Sequence, residues 1–278
     1  MDNKRIISAA ILIPVVTALL VLGGWPYRIL VIIAMLAAAT EFAQMFRRKG
    51  IRLSLVWISL LALAWQAEIL FPERQGYMPI VTVVLLGMTL RELFVSRRNP
   101  EQADPTARWG LTIAGGTYLG ISGAHLIGLR ALPGGLWWVL TTFIIVWVSD
   151  SAAYFIGRRW GRHKMAPSIS PGKSWEGYAA QVLSGPLTGA FLVWLWPTMF
   201  PAIVSPELTL TVWHGLVIGG LISILCPAGD FLISMMKREV GVKDTSNLIP
   251  GHGGVLDRID SILWAGILAH LFAQAFVL

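Results

Sequence analysis

Long, uninterrupted apolar runs dominate this sequence of 278 residues. Hydrophobic residues make up 55% of the chain and charged residues only 13%, about half the charged share of a typical soluble domain. A helix of about 20 mostly apolar residues is long enough to cross a bilayer. The strands of a membrane β-barrel alternate polar and apolar residues, and these runs do not. The sequence therefore predicts an all-α fold, a polytopic transmembrane helical bundle.

Hydropathy predicts nine spans along the chain. They lie at about 6–23, 28–46, 52–71, 77–95, 109–131, 136–157, 176–200, 212–236 and 259–278. The first run follows Lys4 and Arg5, as in a secretory signal, but no cleavage site leads into an aqueous domain, so we expect a retained helix. Residues 1–278 are predicted to form a single integral membrane domain, with N-terminal helices over 1–108 and catalytic helices over 109–278.

Lys and Arg residues are distributed unevenly between the loops that alternate across these spans. All 22 except Arg28, Arg74 and Arg130 fall on the side of the N-terminus. Because cytoplasmic loops are rich in basic residues, the N-terminus is predicted to be cytoplasmic and the C-terminus on the opposite side. The loop 158–175 and the segment 234–260 then share the cytosolic face. The net charge of +7 is explained by this topology, and no nucleic acid partner is expected.

The segment Ser234–Asp260 concentrates charge and glycine between two apolar runs. It contains four acidic residues, four basic residues, one His and four Gly. Ionisable groups are costly in or at a bilayer, so a functional site is the default explanation for them. Basic side chains hold phosphates, carboxylates hold hard divalent cations, and glycine turns expose backbone N–H groups to anions. The segment predicts a nucleotide or phosphate site at the membrane surface.

Three Asp residues form a candidate metal site. Asp230 lies about two turns inside the eighth span, after Pro227 and Gly229, which loosen a helix. A structural Asp–Lys pair is the alternative role for Asp230. Asp257 and Asp260 are spaced i, i+3 at the start of the last span, where capping of the helix is the alternative. Since Mg²⁺ commonly binds one or two carboxylates plus substrate phosphates, this set suits Mg²⁺.

Candidate phosphate-binding groups occur in two segments. Three of the five residues 250–254 are glycine, which permits an anion-binding backbone turn, although a plain tight turn has the same composition. His252 is expected either to bond a phosphate or to cap the next helix. Upstream, residues 172–174 (Gly-Lys-Ser) resemble the tail of a P-loop, but the first Gly of that motif is missing and no strand is predicted before it. Lys173 remains a phosphate candidate in a Gly/Ser turn.

Several residues within the spans are expected to serve packing. The Gly-x-x-x-Gly pairs at 116–120 and 215–219 allow close helix approach, either within the chain or across a dimer. Arg91 and Glu92 of the fourth span are predicted to form pairs or to lie at the membrane interface. The single Cys226 excludes an intrachain disulfide and is expected to pack between helices.

The charged segment resembles the signature of one family, the integral-membrane phosphatidate cytidylyltransferases, also called CDP-diacylglycerol synthases. That signature reads S-x-x-K-R-x4-K-D, then a small residue, then P-x-H-G-G-x-x-D-R-x-D. It is matched here at Ser234, Lys237, Arg238, Lys243, Asp244, Ser246, Pro250, His252, Gly253, Gly254, Asp257, Arg258 and Asp260. Two upstream elements, D-x3-Y-x2-G from Asp150 and S-P-x-K-[ST]-x-E-G from Ser170, also resemble those of the family.

The resemblance implies transfer of the cytidylyl group of CTP to phosphatidic acid, giving CDP-diacylglycerol and pyrophosphate for phospholipid biosynthesis. It implies a homodimer in the bacterial inner membrane, with the active site facing the cytoplasm. Mg²⁺ is the expected cofactor, and a monovalent cation such as K⁺ is a candidate second ion. The matched residues expected to be catalytic are Asp230, Lys237, Asp257 and Asp260, and the three Asp residues would hold the metal. Those expected to bind substrate are Lys173, Ser234, Arg238, Lys243, Asp244, His252, Gly253, Gly254 and Arg258.

Two alternative functions remain open at this point. Another CTP-dependent membrane lipid enzyme, such as a polyprenol or dolichol kinase or a CDP-archaeol synthase, would share the nucleotide and metal but not the acceptor. An ion-coupled transporter would also carry intramembrane Asp residues and broken helices. The transporter is disfavoured because no repeat relates the two halves and because the charges cluster at one predicted membrane face.

Overall fold

The computed structural model describes residues 2–70, 78–98, 104–201, 204 and 208–277, and the side chains of all of these except 2–7, 9, 68 and 78. Arg74 of the charge pattern lies outside the described residues. The described helices are α1 (Asp2–Leu22), α2 (Gly24–Arg47), α3 (Leu55–Leu70), α4 (Met78–Arg98), α5 (Pro105–Ala131), α6 (Gly135–Trp160), α7 (Trp175–Met199), α8 (Val212–Leu225), α9 (Pro227–Glu239) and α10 (Leu256–Phe276). Strands β1 (Lys164–Ala166) and β2 (Ser170–Ser174) pair antiparallel between α6 and α7.

The eighth predicted span is broken into two helices. The sequence predicts one helix over 212–236, whereas α8 ends at Leu225 and α9 begins at Pro227. The Cys226 amide donates to the Ile222 carbonyl at 2.9 Å, but Pro227 has no amide hydrogen with which to continue the ladder. Proline is well suited to the first position of a helix, so α9 starts there.

Six helical segments in the described part of the chain are long and apolar enough to cross a membrane. They are Gly24–Arg47, Pro79–Arg98, Gly135–Trp160, Trp175–Met199, Val212–Glu239 and Leu256–Phe276. Apolar side chains also remain outside the protein core, as lipid-facing helices require; Leu183 and Leu187 of α7 are 69% and 67% exposed. The chain is therefore a mostly helical integral membrane protein.

The chain forms two compact units. The first comprises Met1–Ile127 and Val240–Arg258, and the second comprises Gly128–Glu239 and Ile259–Leu278. The segment after α9 belongs to the first unit because it is hydrogen-bonded to α2, as described below. The predicted single membrane domain, with its parts 1–108 and 109–278, stays a prediction.

Helix packing in the first unit depends on small residues of α5. A Cβ added at Gly116 would lie 2.9 Å from the Cβ of Leu61, and one added at Gly120 would lie 2.9 Å from the Cα of Ala62. Real Cβ atoms do not come this close, so these glycines allow α3 to pack directly on the backbone of α5. The glycine pair at 116 and 120 therefore serves packing between helices of the same chain.

A buried ion pair also stabilises the first unit. Glu92 is 7% exposed and Arg108 is 3% exposed, and the Arg108 Nη2 lies 2.6 Å from the Glu92 Oε1. The other oxygen of Glu92 accepts a hydrogen bond from Arg91 at 2.9 Å. Of the two roles expected for Arg91 and Glu92, pairing is the one observed, and the buried charge of Glu92 is compensated as burial requires.

In the second unit, α7 and α8 pack backbone against backbone. Gly185 and Gly189 of α7 face Gly219 and Gly215 of α8. A Cβ added at Gly219 would lie 2.7 Å from the carbonyl carbon of Gly185, closer than van der Waals contact allows. Both Gly-x-x-x-Gly pairs therefore pack within the chain.

This packing predicts a sharp contrast between two adjacent glycines of α8. Gly219→Ala should destabilise the purified protein by about 1–3 kcal/mol, because the added methyl group has no space and the helices must separate. Gly220→Ala is the matched control, since its Cβ would lie 3.7 Å from the Pro186 Cγ, an ordinary contact. Thermal unfolding in detergent measures both variants. Equal midpoints would contradict the close approach of α7 and α8.

Candidate active site

The second unit contains a cleft of about 540 Å³ between α6, the hairpin, α7 and α9. Its charged and hydroxyl-bearing lining residues include Asp150, Tyr154, Arg158, Lys164, Lys173, Ser174, Tyr178 and Asp230. Carboxylates and basic groups thus face the same space. A cleft of this composition can hold an anion and a cation together.

Local packing explains how the hairpin reaches the cleft. Ser174 caps α7, because its Oγ accepts a hydrogen bond from the Gly177 amide at 3.2 Å. A Cβ added at Gly177 would lie 2.7 Å from the Ala153 carbonyl oxygen, so α7 begins directly against α6. The expected Gly/Ser turn is wrong for Lys173, which lies in the extended strand β2. Pairing with β1 overrides the turn preference of the residues on either side.

An ion pair joins the hairpin to α9 in this cleft. The Lys173 Nζ lies 2.7 Å from the Asp230 Oδ2 and 4.2 Å from the centroid of the Phe231 ring. The other oxygen of Asp230 accepts a hydrogen bond from the Ser234 Oγ at 3.0 Å. The side chains of Lys173 and Asp230 are 26% and 33% exposed, and partly solvated pairs of this kind are weak. The pair can therefore open for a ligand at small cost.

Two further Asp residues of the second unit have defined surroundings. Asp150, in the wall of the cleft, accepts a hydrogen bond from the Gln181 Nε2 at 2.8 Å. Asp260 lies where α9 packs on α10, since a Cβ added at Gly229 would be 2.5 Å from the Asp260 carbonyl oxygen. The missing side chain of Gly229 thus brings the beginning of α9, with Asp230, against the helix that carries Asp260.

Arg238 has a structural contact that the sequence did not predict. Its Nε donates to the Ile169 carbonyl oxygen at 3.1 Å, which ties the end of α9 to the loop of the hairpin. Arg238 therefore supports the hairpin that carries Lys173. Lys237 precedes it in the last turn of α9.

In the first unit, Asp257 holds the segment that precedes α10. Its Oδ2 accepts hydrogen bonds from the amides of Thr245, at 2.8 Å, and Gly254, at 3.1 Å. The Thr245 hydroxyl also lies 2.9 Å from this oxygen. Asp257 thus holds Thr245 and Gly254 beside the beginning of α10, and its metal-binding role stays a prediction.

The glycine-rich turn has the expected backbone, but the N–H groups that follow it donate to carboxylates of the protein itself. Gly251 and Gly253 have φ values of 79° and 81°, which favour glycine. Beyond the turn, the amides of Val255 and Leu256 each donate at 2.8 Å to the carboxylate of Glu41. These N–H groups and that of Gly254 are therefore used by carboxylates of the protein. No sequence pattern indicates this contact, because Glu41 is a lone acid in an apolar run about two hundred residues before its partners.

His252 is fixed by contacts within the first unit. Its Nδ1 lies 3.0 Å from the Oγ of Ser8, and its carbonyl oxygen accepts a hydrogen bond from the Arg258 Nε at 2.8 Å. Since α10 begins at Leu256, His252 is not its cap. Asp244 lies nearby, because a Cβ added at Gly253 would be 3.6 Å from its Oδ1.

The predicted site residues divide between the two units. The second contains Lys173, Asp230, Ser234, Lys237, Arg238 and Asp260, and the first contains Lys243, Asp244, His252, Gly253, Gly254, Asp257 and Arg258. In the second unit, Asp230 contacts both Lys173 and Ser234. In the first unit, Arg258 contacts His252, and Asp257 contacts Gly254. The residues that sequence reasoning missed are Ser8, Glu41, Gln181 and Thr245.

The oxygen donors of the second unit fit a hard divalent cation. Asp150 and Asp230 line one cleft, and Mg²⁺ typically takes one or two carboxylates, with waters and substrate phosphates as its other ligands. Among the residues that the structure describes, no group of three or more His, Cys, Asp or Glu side chains is placed to hold a metal ion. The metal-binding role predicted for Asp230, Asp257 and Asp260 stays a prediction.

These features define a class: a polytopic helical membrane protein with a cleft suited to phosphates and a hard cation. Comparison with known proteins identifies the family within this class. The chain belongs to the cytidylyltransferase family, whose sequence model matches residues 3–276. The resemblance noted from the charged segment is confirmed over nearly the whole chain.

Three relatives are named phosphatidate cytidylyltransferase. The protein of Synechocystis sp. is 31% identical over 300 residues, covering 98% of this chain and 96% of the relative. The protein of Bacillus subtilis is 28% identical over 269 residues, or 94% of each chain. The protein of Haemophilus influenzae is 47% identical over 129 residues, which cover 46% of this chain and less than half, 42%, of that relative.

Proposed function

We propose that this protein transfers the cytidylyl group of CTP to phosphatidic acid, giving CDP-diacylglycerol and pyrophosphate. The observation that carries the proposal is the contact of Lys173 with Asp230 in the cleft. This contact joins a basic group suited to phosphate and a carboxylate suited to a divalent cation, in a chain that matches the cytidylyltransferase family over residues 3–276. The names of the relatives, phosphatidate cytidylyltransferase, indicate phosphatidic acid as the acceptor lipid.

The reaction requires positioning more than acid–base chemistry. A phosphate oxygen of phosphatidic acid forms a bond to the α-phosphorus of CTP. The bond from that phosphorus to the oxygen bridging to the β-phosphate breaks, and pyrophosphate leaves with the electron pair. Because the lipid phosphate is already an anion, neither a general base nor a covalent enzyme intermediate is needed. The protein has to align the two substrates and neutralise their phosphates.

The ion pair of the cleft opens when substrate binds. Lys173 exchanges the carboxylate of Asp230 for a phosphate oxygen, and Asp230 is then available to hold Mg²⁺ together with Asp260. Asp257 is the third proposed ligand, and a monovalent ion such as K⁺ is the candidate second cation. Bound Mg²⁺ would supply positive charge against the phosphate oxygens. Ser234 keeps Asp230 oriented through its hydroxyl group.

The remaining matched residues complete the substrate site. Lys237, Lys243 and Arg258 neutralise phosphates of the two substrates. Arg238 supports the hairpin as well as contributing charge. His252, Asp244 and the Gly253–Gly254 backbone contact the nucleotide.

The proposed setting is the inner membrane of a bacterium. The proposal has nine spans, with α1, α3 and α5 added to the six segments of sufficient length and hydropathy. The excess of Lys and Arg in alternate loops supports a cytoplasmic N-terminus and a C-terminus on the opposite side. The cleft then faces the cytoplasm, where CTP is available. A homodimer remains part of the proposal and rests on the family resemblance, since both Gly-x-x-x-Gly pairs are used within the chain.

A label on the α-phosphate of CTP tests the proposed reaction directly. Purified protein in mixed micelles with phosphatidic acid and Mg²⁺ should move the label into lipid and release unlabelled pyrophosphate. Label that remains in CDP, with phosphorylation of an added polyprenol, would instead identify a kinase. The absence of any labelled lipid would contradict the proposal.

The metal assignment makes a second prediction. Asp230→Asn and Asp260→Asn should each reduce turnover by more than the roughly 10- to 100-fold typical for losing a group that only orients a metal ligand. Asp230→Glu, which keeps the charge, should recover activity as Mg²⁺ is raised. Glu239→Gln, at an exposed acid at the end of α9, is the control and should keep wild-type turnover. Near-normal activity of either Asn variant would contradict the metal assignment.

The proposed topology can be tested with single cysteines. The native Cys226 is 1% exposed and should give little background with a membrane-impermeant maleimide. Pro133→Cys, in the exposed turn between α5 and α6, should be labelled in cells whose outer membrane alone is permeabilised. Arg48→Cys, after α2, should be labelled only once the inner membrane is opened. The reverse pattern would invert the topology.

A further inference from the structure

Glu41 is a buried acid that the proposed chemistry does not use. It lies in α2 and is 2% exposed. A carboxylate removed from water is costly unless hydrogen-bond donors replace its hydration. The groups around Glu41 therefore have to compensate the loss of water around its carboxylate.

The donors come from the two ends of one segment. The Glu41 Oε1 accepts from the Ser246 Oγ at 2.7 Å and from the Val255 amide at 2.8 Å. The Oε2 accepts from the Leu256 amide at 2.8 Å and lies 3.0 Å from the Thr245 Oγ1. The single proton of Thr245 is shared with Asp257, so it serves one carboxylate at a time. Each oxygen of Glu41 thus joins residues 245–246 to residues 255–256.

The local geometry favours an anion at this place. The amides of Val255 and Leu256 belong to the beginning of α10, where N–H groups lack partners within the helix and the helix dipole attracts negative charge. The fit is also close, since a Cβ added at Gly254 would overlap the Thr245 Oγ1 and would lie 2.5 Å from the Glu41 Oε2. The hydroxyl group and the carboxylate together leave space only for glycine.

We propose that Glu41 is a positioning residue for the active site. It closes the segment Thr245–Leu256 and so fixes the placement of His252 and of Asp257, without contacting substrate. This inference rests on the proposed cytidylyl transfer, because it assigns those residues their task. An amide cannot replace the acid: the NH₂ group of Gln would face donors where Glu41 presents an acceptor.

The test compares two buried acids of the first unit. Glu41→Gln should lower kcat/KM for CTP by about 100-fold, since small misplacement of reacting groups has effects of this size. It should also speed hydrogen–deuterium exchange in peptides that cover residues 250–256. Glu92→Gln is the matched control: it leaves Arg108 without its charge partner and should lower the unfolding midpoint. It should nevertheless keep wild-type kcat/KM and wild-type exchange at 250–256.

A milder variant keeps the test decisive if Glu41→Gln does not fold. Ser246→Ala removes one donor and should cause a smaller loss, and the double variant should be no worse than Glu41→Gln because both changes act through one contact. Wild-type kcat/KM in Glu41→Gln or, where that variant does not fold, in Ser246→Ala would overturn the inference. Unchanged exchange at 250–256 would overturn it too. If the wild-type protein made no CDP-diacylglycerol, the proposed function would fail, while the exchange measurement would still show whether Glu41 holds the segment.

Discussion

The ion pair between Lys173 and Asp230 is the interaction on which the cleft depends. An aspartate near an apolar helix break is costly alone, and so is a lysine on a short strand packed against membrane helices. Each charge offsets the electrostatic cost of the other, and their contact links the hairpin to α9. Because both side chains remain partly exposed, the pair is held weakly enough to be exchanged for a phosphate and a metal ion. In a fully buried pair, loss of one partner would leave an uncompensated buried charge, which would oppose that exchange.

Charges in the two units are used differently. In the first unit, Glu92 is committed to Arg108, and Glu41 is committed to hydroxyl and amide donors. These carboxylates are almost fully buried, so their partners cannot leave without a large desolvation penalty. In the second unit, the pair that lines the cleft stays accessible to water. The first unit therefore uses these two buried acids to fix its structure, whereas the pair of the second unit is exposed enough for the proposed exchange with substrate.

The sequence predicted what depends on local pattern and missed what depends on distant partners. Continuous apolar runs located the helices, and the spacing of Pro227 and Gly229 indicated a weak point in the eighth span, although the full break at Cys226 was not expected. The hairpin was missed because its strands are short and rich in turn-forming residues. Glu41 was missed because its partners lie about two hundred residues away, and no periodicity joins them. The functional role predicted for Asp257 stays a prediction, and its hydrogen bonds to Thr245 and Gly254 follow only from the fold.

The most direct measurement is an experimental structure of the protein with Mg²⁺ and a CTP analogue that cannot release pyrophosphate. We expect the Lys173–Asp230 pair to be open, with the Lys173 ammonium group on a phosphate oxygen. Mg²⁺ should lie between Asp230 and the phosphates. An intact Lys173–Asp230 pair, with the nucleotide bound outside the cleft, would contradict the central claim that this pair is the place of phosphate and metal binding.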